Sequence, residues 1–178
     1  PLVALALCAT AWLDADPLRL RVASQDVIQA LLQGNPDSAV GSRLYMWRTA
    51  LDGILQAPWL GHGIEARKAA MAALAAQHDP MIWAELRHFH NEYLNAWYDH
   101  GLPGLGSVLF TLVGMAWAAW ALPPRHQVAR QQLLGLAWMH GLAGLSNVNT
   151  AHNLYTLALS LAVVLALLGA ATRPAQAG

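Results

Sequence analysis

Residues 102–122, LPGLGSVLFTLVGMAWAAWAL, carry no charge at all. A helix rises about 1.5 Å per residue, and a bilayer core of about 30 Å needs about 20 such residues. Trp117 and Trp120 stand near the far end, where interfacial aromatic rings belong. The stretch reads as a transmembrane helix. Working downstream, residues 154–172 (LYTLALSLAVVLALLGAAT) form the clearest second span. Between them, residues 133–148 (LLGLAWMHGLAGLSNV) make a weaker third, interrupted by His140 and Asn147. Its small residues Gly135, Gly141, Ala143 and Gly144 suit close contact with other helices more than with lipid.

The whole chain supports that reading. Of its 178 residues, 56% are hydrophobic and only 11% charged, against about 25% charged in soluble domains. Mean hydropathy is +0.35. Working upstream, Pro1 opens directly into an apolar run that ends at Leu13. No basic residue precedes that run and no small-residue cleavage site follows it, so it does not read as a signal peptide. Too short to span, residues 1–13 are expected to be the end of a transmembrane helix, and the chain a C-terminal part of a larger membrane protein. Cys8, the single cysteine, has no partner within the chain and reads as a small packing residue.

Charge placement suggests an orientation. Residues 123–132 contain Arg125 and Arg130 and no acid, and Arg173 follows the last span. Short, basic loops mark the cytoplasmic side. Residues 123–132 and the tail 173–178 are therefore expected in the cytoplasm, and the short turn 149–153 on the opposite face. Residues 14–101, which hold all ten acids and seven of the ten Lys/Arg, then form a large external, periplasmic loop with a net charge of −3.

Within that loop the pattern is helical. Residues 42–56 place Leu44, Trp47, Leu51 and Leu55 at the 3-4-4 spacing of an amphipathic helix, with Ser42 as a cap and Pro58 as its end. Ala57-Pro58-Trp59-Leu60-Gly61-His62-Gly63 reads as a turn. Residues 64–78 are alanine-rich and helix-favouring until Asp79-Pro80. Residues 81–98 read as a further helix, placing Arg87 and His90 on one face and His88 elsewhere. No strand-like alternation of any length is present. The expected fold is all-α: a polytopic membrane protein with a large helical external loop.

The chemistry concentrates in Arg87-His88-Phe89-His90-Asn91, just ahead of the first complete span. An imidazole titrates near neutral pH and accepts a proton from a hydroxyl nucleophile. A lone histidine is more often a packed, hydrogen-bonded residue; His90 has Arg87, His88 and Asn91 beside it. His88-Phe89-His90 is also an H-x-H pair, but such pairs arise by chance among eight histidines, and no H-E-x-x-H or cysteine spacing accompanies it. No metal is expected. Arg43, at the start of the 42–56 helix, is placed where backbone N–H groups already favour an anion, and a guanidinium there grips phosphate in a bidentate way. Spacing alone favours a solvated or acid-paired surface arginine. No Walker, G-x-G-x-x-G or G-x-S-x-G sequence occurs.

Three stretches, in this order, resemble the C-terminal part of the O-antigen ligase and O-antigen polymerase family of bacterial inner-membrane glycosyltransferases. They are Gly41-Ser42-Arg43-Leu44-Tyr45-Met46-Trp47, the turn from Ala57 to Gly63, and His90-Asn91 followed by Gly101 and Gly104. The resemblance covers residues 38–112; the last two spans match only in hydropathy. It implies an enzyme that moves a glycan from undecaprenyl diphosphate to an acceptor hydroxyl. In ligases the acceptor is a sugar of the lipid A core. His90 would be the catalytic residue, Arg43 the diphosphate-binding arginine, and Arg87, His88 and Asn91 further substrate-binding residues. A second essential arginine of the family falls, by spacing, ahead of Pro1. The implied partners are the lipid-linked glycan donor, a glycan acceptor and membrane lipid, with no nucleic acid and no cofactor.

That set suffices chemically, because a diphosphate-linked sugar already has a good leaving group. It needs cations for the departing charge and one base for the hydroxyl. O-antigen polymerases and protein O-oligosaccharyltransferases share the histidine region, so the acceptor stays open. The alternative of another class is a non-catalytic transporter or glycan-binding membrane component. A transporter would carry ionisable residues within its spans, where this chain offers His140 and His152.

Overall fold

The computed structural model describes residues 17–172. The apolar run at 1–13 and the tail at 173–178 lie outside the described residues. Among the described residues the chain is helical throughout, without strands. The helices are α1 (Pro17–Leu32), α2 (Ala39–Gln56), α3 (Ile64–Ala75), the single turn α4 (Pro80–Trp83), α5 (Glu92–Ala121), α6 (Gln127–Ala143) and α7 (Asn153–Ala171). Short 3₁₀ turns, Pro124–His126 and Asn149–Ala151, precede α6 and α7.

Two helices, Glu92–Ala121 and Asn153–Ala171, are long and apolar enough to cross a membrane. The third apolar segment, expected as a helix over 133–148, is helical over Gln127–Ala143 and turns at Gly144. It packs against both α5 and α7. At the far end of this trio, fully buried Ala119 and Leu133 meet Ala166. The outer faces display Phe110, Trp117, Trp120, Trp138 and Leu157, all exposed. So much apolar surface on a helix trio matches a lipid environment, where the exterior need not be polar.

Residues 39–98 form a second packed unit at the other end. Its core holds Met46, Ala50, Ile54, Met71, Leu74, Trp83, Phe89 and Tyr98. Full burial of side chains such as Trp83, Phe89 and Met46 contributes roughly 1.5–3 kcal/mol each. Two sequence expectations for α2 fail here. Ser38, not Ser42, is the N-cap, its hydroxyl accepting from the Gly41 N–H at 3.0 Å. The buried face is Ser42, Met46, Ala50 and Ile54, while Leu51 and Leu55 point outward. At Gly41 a Cβ would collide with the Asn35 carbonyl, so this face of α2 takes small residues while the leucines stay outside.

The join between the two units is a kink at Gly101. There φ is 64° and ψ is −156°, a conformation essentially restricted to glycine. A Cβ at Gly101 would collide with the carbonyl of Trp59. Breaking a helix frees carbonyls on one side and N–H groups on the other. The 57–63 turn satisfies both. The His62 and Gly63 N–H groups donate to the Tyr98 and Asp99 carbonyls at 2.8 and 2.9 Å, and Leu102 N–H donates to the Pro58 carbonyl at 3.0 Å. Trp97 Nε1 donates to the same carbonyl at 3.0 Å. The Pro-Trp-Leu-Gly-His-Gly turn thus caps the end of one helix and the beginning of the next.

Candidate functional site

The helix expected over 81–98 does not form as one piece. After Trp83 the chain leaves helical geometry, and α5 begins only at Glu92, with Asn91 as its N-cap. The Asn91 side chain accepts from Leu94 N–H at 3.0 Å, and Glu92 supplies an acid in the first turn. Both features favour a helix start at this point, and both were present in the sequence. Arg87 and His90 therefore share no helix face. They belong to a loop, residues 84–91, pinned by the fully buried ring of Phe89. Phe89 packs on Tyr98 with ring centroids 4.9 Å apart.

With Phe89 turned inward, the residues on either side come together. The rings of His88 and His90 meet edge to face, centroids 4.5 Å apart. His152, ahead of α7, stands edge-on to His88 at 6.3 Å. His90 is the one non-glycine residue with positive φ, 49°, among the described residues. For an L-residue the left-handed region costs about 1–2 kcal/mol, so neighbouring contacts must hold it there. Trp47 Nε1 donates to the Phe89 carbonyl at 2.9 Å, and Phe89 N–H donates to Asn95 Oδ1 at 3.4 Å. On the other side, Asn91 Nδ2 donates to the Leu145 carbonyl at 3.1 Å.

The next two residues anchor the loop to the other helices. Glu92 N–H donates to the Gly144 carbonyl at 2.7 Å, and Tyr93 Oη donates to the Gly141 carbonyl at 2.8 Å. The buried Glu92 carboxylate accepts from Thr150 N–H at 3.1 Å and from the Thr150 hydroxyl. Residues 91–93 are thereby bound to the end of α6 and to the turn before α7. The C-terminal end of the histidine loop is thus tied to the helix trio.

Arg43 sits a full turn inside α2, not at its start, and its Nη1 donates to the Ala39 carbonyl at 2.7 Å. The helix N-terminus expected to assist it is already occupied by Ser38. Its charge nevertheless reaches His90. Burial, first, and then His88, Arg43 and His152 push the His90 imidazole down from 6.5 to about 4. His88 is lowered too, by burial and then by Arg67 and His152. At neutral pH His90 is therefore an uncharged imidazole able to accept a proton. Arg87 is exposed, and Asn91 has both its amide atoms engaged with the protein.

Several participants carried no sequence signal as site residues. Arg67 on α3 reaches across to Asp99 with Nε 2.9 Å from both carboxylate oxygens, and its Nη1 donates to the Arg87 carbonyl at 2.6 Å. His152 and Thr150 arrive from the far side of α6, and Trp47 from α2. Only the tertiary fold brings them to the loop. Three imidazoles converge, yet among the described residues no group of three or more His, Cys, Asp or Glu is placed to hold a metal ion.

The family model described as O-antigen ligase matches residues 2–109, which include α2, the 57–63 turn, the histidine loop and the start of the span. An uncharacterized protein of Haemophilus influenzae is 28% identical over 99 residues, covering 53% of this chain but 24% of that protein's length. With most of its length matched by the family model, the chain belongs to the O-antigen ligase family.

Proposed function

We propose that this chain carries the catalytic loop of a membrane glycosyltransferase that moves a glycan from undecaprenyl diphosphate to a sugar hydroxyl of a lipid A core. His90 acts as the general base and Arg43 binds the donor diphosphate. The observation that carries this reading is an uncharged imidazole held in a strained backbone against a second imidazole and within the field of the Arg43 guanidinium, at the point where the chain enters an apolar helix. The acceptor oxygen attacks the anomeric carbon while its proton passes to His90. The bond from that carbon to the diphosphate oxygen breaks, and the departing oxygen keeps the electron pair, its charge held by Arg43. Neither step requires a metal or a cofactor. The loop faces the periplasm, and the helices cross the bacterial inner membrane several times.

The low pKa of His90 fits this sequence of events. A free base at about 4 is weak, and general bases work best near the operating pH. A bound diphosphate offsets the positive field of Arg43 and favours the protonated imidazole, so donor binding strengthens the base. His88 and Arg87 line the substrate side of the loop, and Asn91 keeps the loop in place.

The test is the product formed by purified full-length protein given undecaprenyl-diphosphate-linked glycan. Transfer to a lipid A–core sugar, lost in His90→Ala with membrane insertion retained, is the expected result. Lengthened lipid-linked glycan would identify a polymerase instead, and glycosylated protein an oligosaccharyltransferase. If no new glycosidic bond forms under any of these conditions, the non-catalytic reading replaces all three.

A further inference from the structure

A cavity of about 710 Å³ opens between α3, the 84–88 loop and the residues ahead of α7. Its polar lining is Arg67, Lys68, Arg87, His88 and His152, and no acidic residue contributes to it. The rest of its wall, including Met71 and Leu86, is apolar. The cations are only partly committed elsewhere. Arg67 gives Nε to Asp99 and Nη1 to the Arg87 carbonyl, which leaves Nη2. Lys68 pairs with Glu65 at 2.7 Å, both largely exposed, and such surface pairs hold weakly. The Arg87 guanidinium makes no hydrogen bond or ion pair among the described residues. His88 Nδ1 is buried without a hydrogen-bond partner.

Arg43 does not line this cavity. The histidine pair therefore has two separate sets of cations, Arg43 acting on His90 and the cavity set around His88. The ring contact between His88 and His90 places the cavity beside the proposed base. It also opens where Ala151 and His152 lead into α7, at the start of an apolar helix. Cations over an apolar wall suit an amphiphile bearing a phosphate better than a small hydrated ion.

We infer that this cavity is the anion site of the acceptor: Arg87, with Arg67, Lys68 and His152, grips a phosphate carried by the membrane-anchored acceptor while its sugar hydroxyl reaches His90. The inference rests on the proposed transferase reading and assigns the substrate class of one side of that site.

The experiment uses full-length protein in nanodiscs of neutral or anionic phospholipid, with donor and either phosphorylated or phosphatase-treated lipid A–core acceptor. In neutral discs Arg87→Gln should raise KM for the phosphorylated acceptor by about tenfold or more, the loss of one charge-assisted hydrogen bond. Donor KM should stay unchanged, and the treated acceptor should bind variant and wild type alike. Lys68→Gln should act in the same direction with a smaller effect. An equal rise for both acceptors, no rise at all, or a rise in donor KM would overturn the assignment. An effect confined to anionic discs would mean that a lipid headgroup occupies the cavity, and would overturn it as well. His90→Ala, run alongside, separates the failures. Absence of transfer by the wild type defeats the transferase reading itself, and retained transfer by His90→Ala defeats the assignment of the base, whereas lost transfer in His90→Ala with an unaffected Arg87→Gln defeats only the anion site.

Discussion

Trp47→Phe removes one N–H group and leaves most of a ring in place, which makes it a sharp probe of how the site is held. The lost bond is the 2.9 Å donation from Trp47 Nε1 to the carbonyl of Phe89, a fully buried residue. Removing a donor from a buried carbonyl costs about 1–3 kcal/mol. The left-handed backbone at His90, next in the chain, stores about 1–2 kcal/mol. The two quantities are comparable, so that single bond suffices to decide whether His90 stays in its strained conformation. Its loss should let the 84–91 loop relax for much of the time. The expected fall in kcat is about tenfold, corresponding to about 1.4 kcal/mol, with the global fold intact because the Phe89–Tyr98 packing remains. Turnover at saturating donor and acceptor gives the first reading, and hydrogen exchange of the amides at 84–91 gives the second. Faster exchange with undiminished kcat would refute the idea that loop strain positions the base. Unchanged exchange and unchanged kcat would show that the indole bond holds nothing. Asn95→Ala, which removes the acceptor for the Phe89 N–H, should be non-additive with Trp47→Phe, because both act on one peptide segment.

Three further outcomes are expected. Because burial, His88, Arg43 and His152 lower His90 to about 4, kcat/KM should stay flat through neutral pH and fall only as pH drops through about 4; Arg43→Gln should move that limb upward. The kcat limb should lie higher than the kcat/KM limb, since bound diphosphate favours the imidazolium; a shared limb at the ordinary histidine value would contradict the assignment. The same shift implies that the unfolded chain binds the proton more readily than the folded one, so stability declines as pH falls from about 6.5 to about 4 and His90 adds no further loss below that. Gly101→Ala places a Cβ against the Trp59 carbonyl in a glycine-only conformation, costing about 1–3 kcal/mol from strain alone. It should loosen the 57–63 turn, read as faster proteolysis there, with membrane insertion preserved; an unaltered cleavage pattern would show that the kink tolerates a side chain.

The helical class and the apolar spans were legible because they depend on periodicity and length, which composition records directly. The turn at 57–63 was legible from Pro58, Gly61 and Gly63, although its use as a double helix cap was not, since its hydrogen bonds reach residues some 40 positions away. The break at 84–91 was missed because residues 81–98 keep an aromatic spacing compatible with a helix. The competing signal, Asn91 followed by Glu92, is a local start that prevails once Phe89 is drawn into the core. The buried face of α2 was misread for a related reason: leucines promise more buried area, but a Cβ at Gly41 would collide with the Asn35 carbonyl, so that face takes small residues. His90 and Arg43 stood out in the sequence as candidates, while Arg67, Trp47, Thr150 and His152 reach the loop only through contacts that the fold creates.

The most direct measurement is the single-turnover rate of glycan transfer by full-length His90→Ala, with donor and acceptor both pre-bound. Loss of a general base should slow that step by about 10²–10⁴-fold while donor affinity, which we propose rests on Arg43, is retained. A variant that forms the glycosidic bond as fast as the wild type would show that the imidazole at position 90 takes no part in the chemistry.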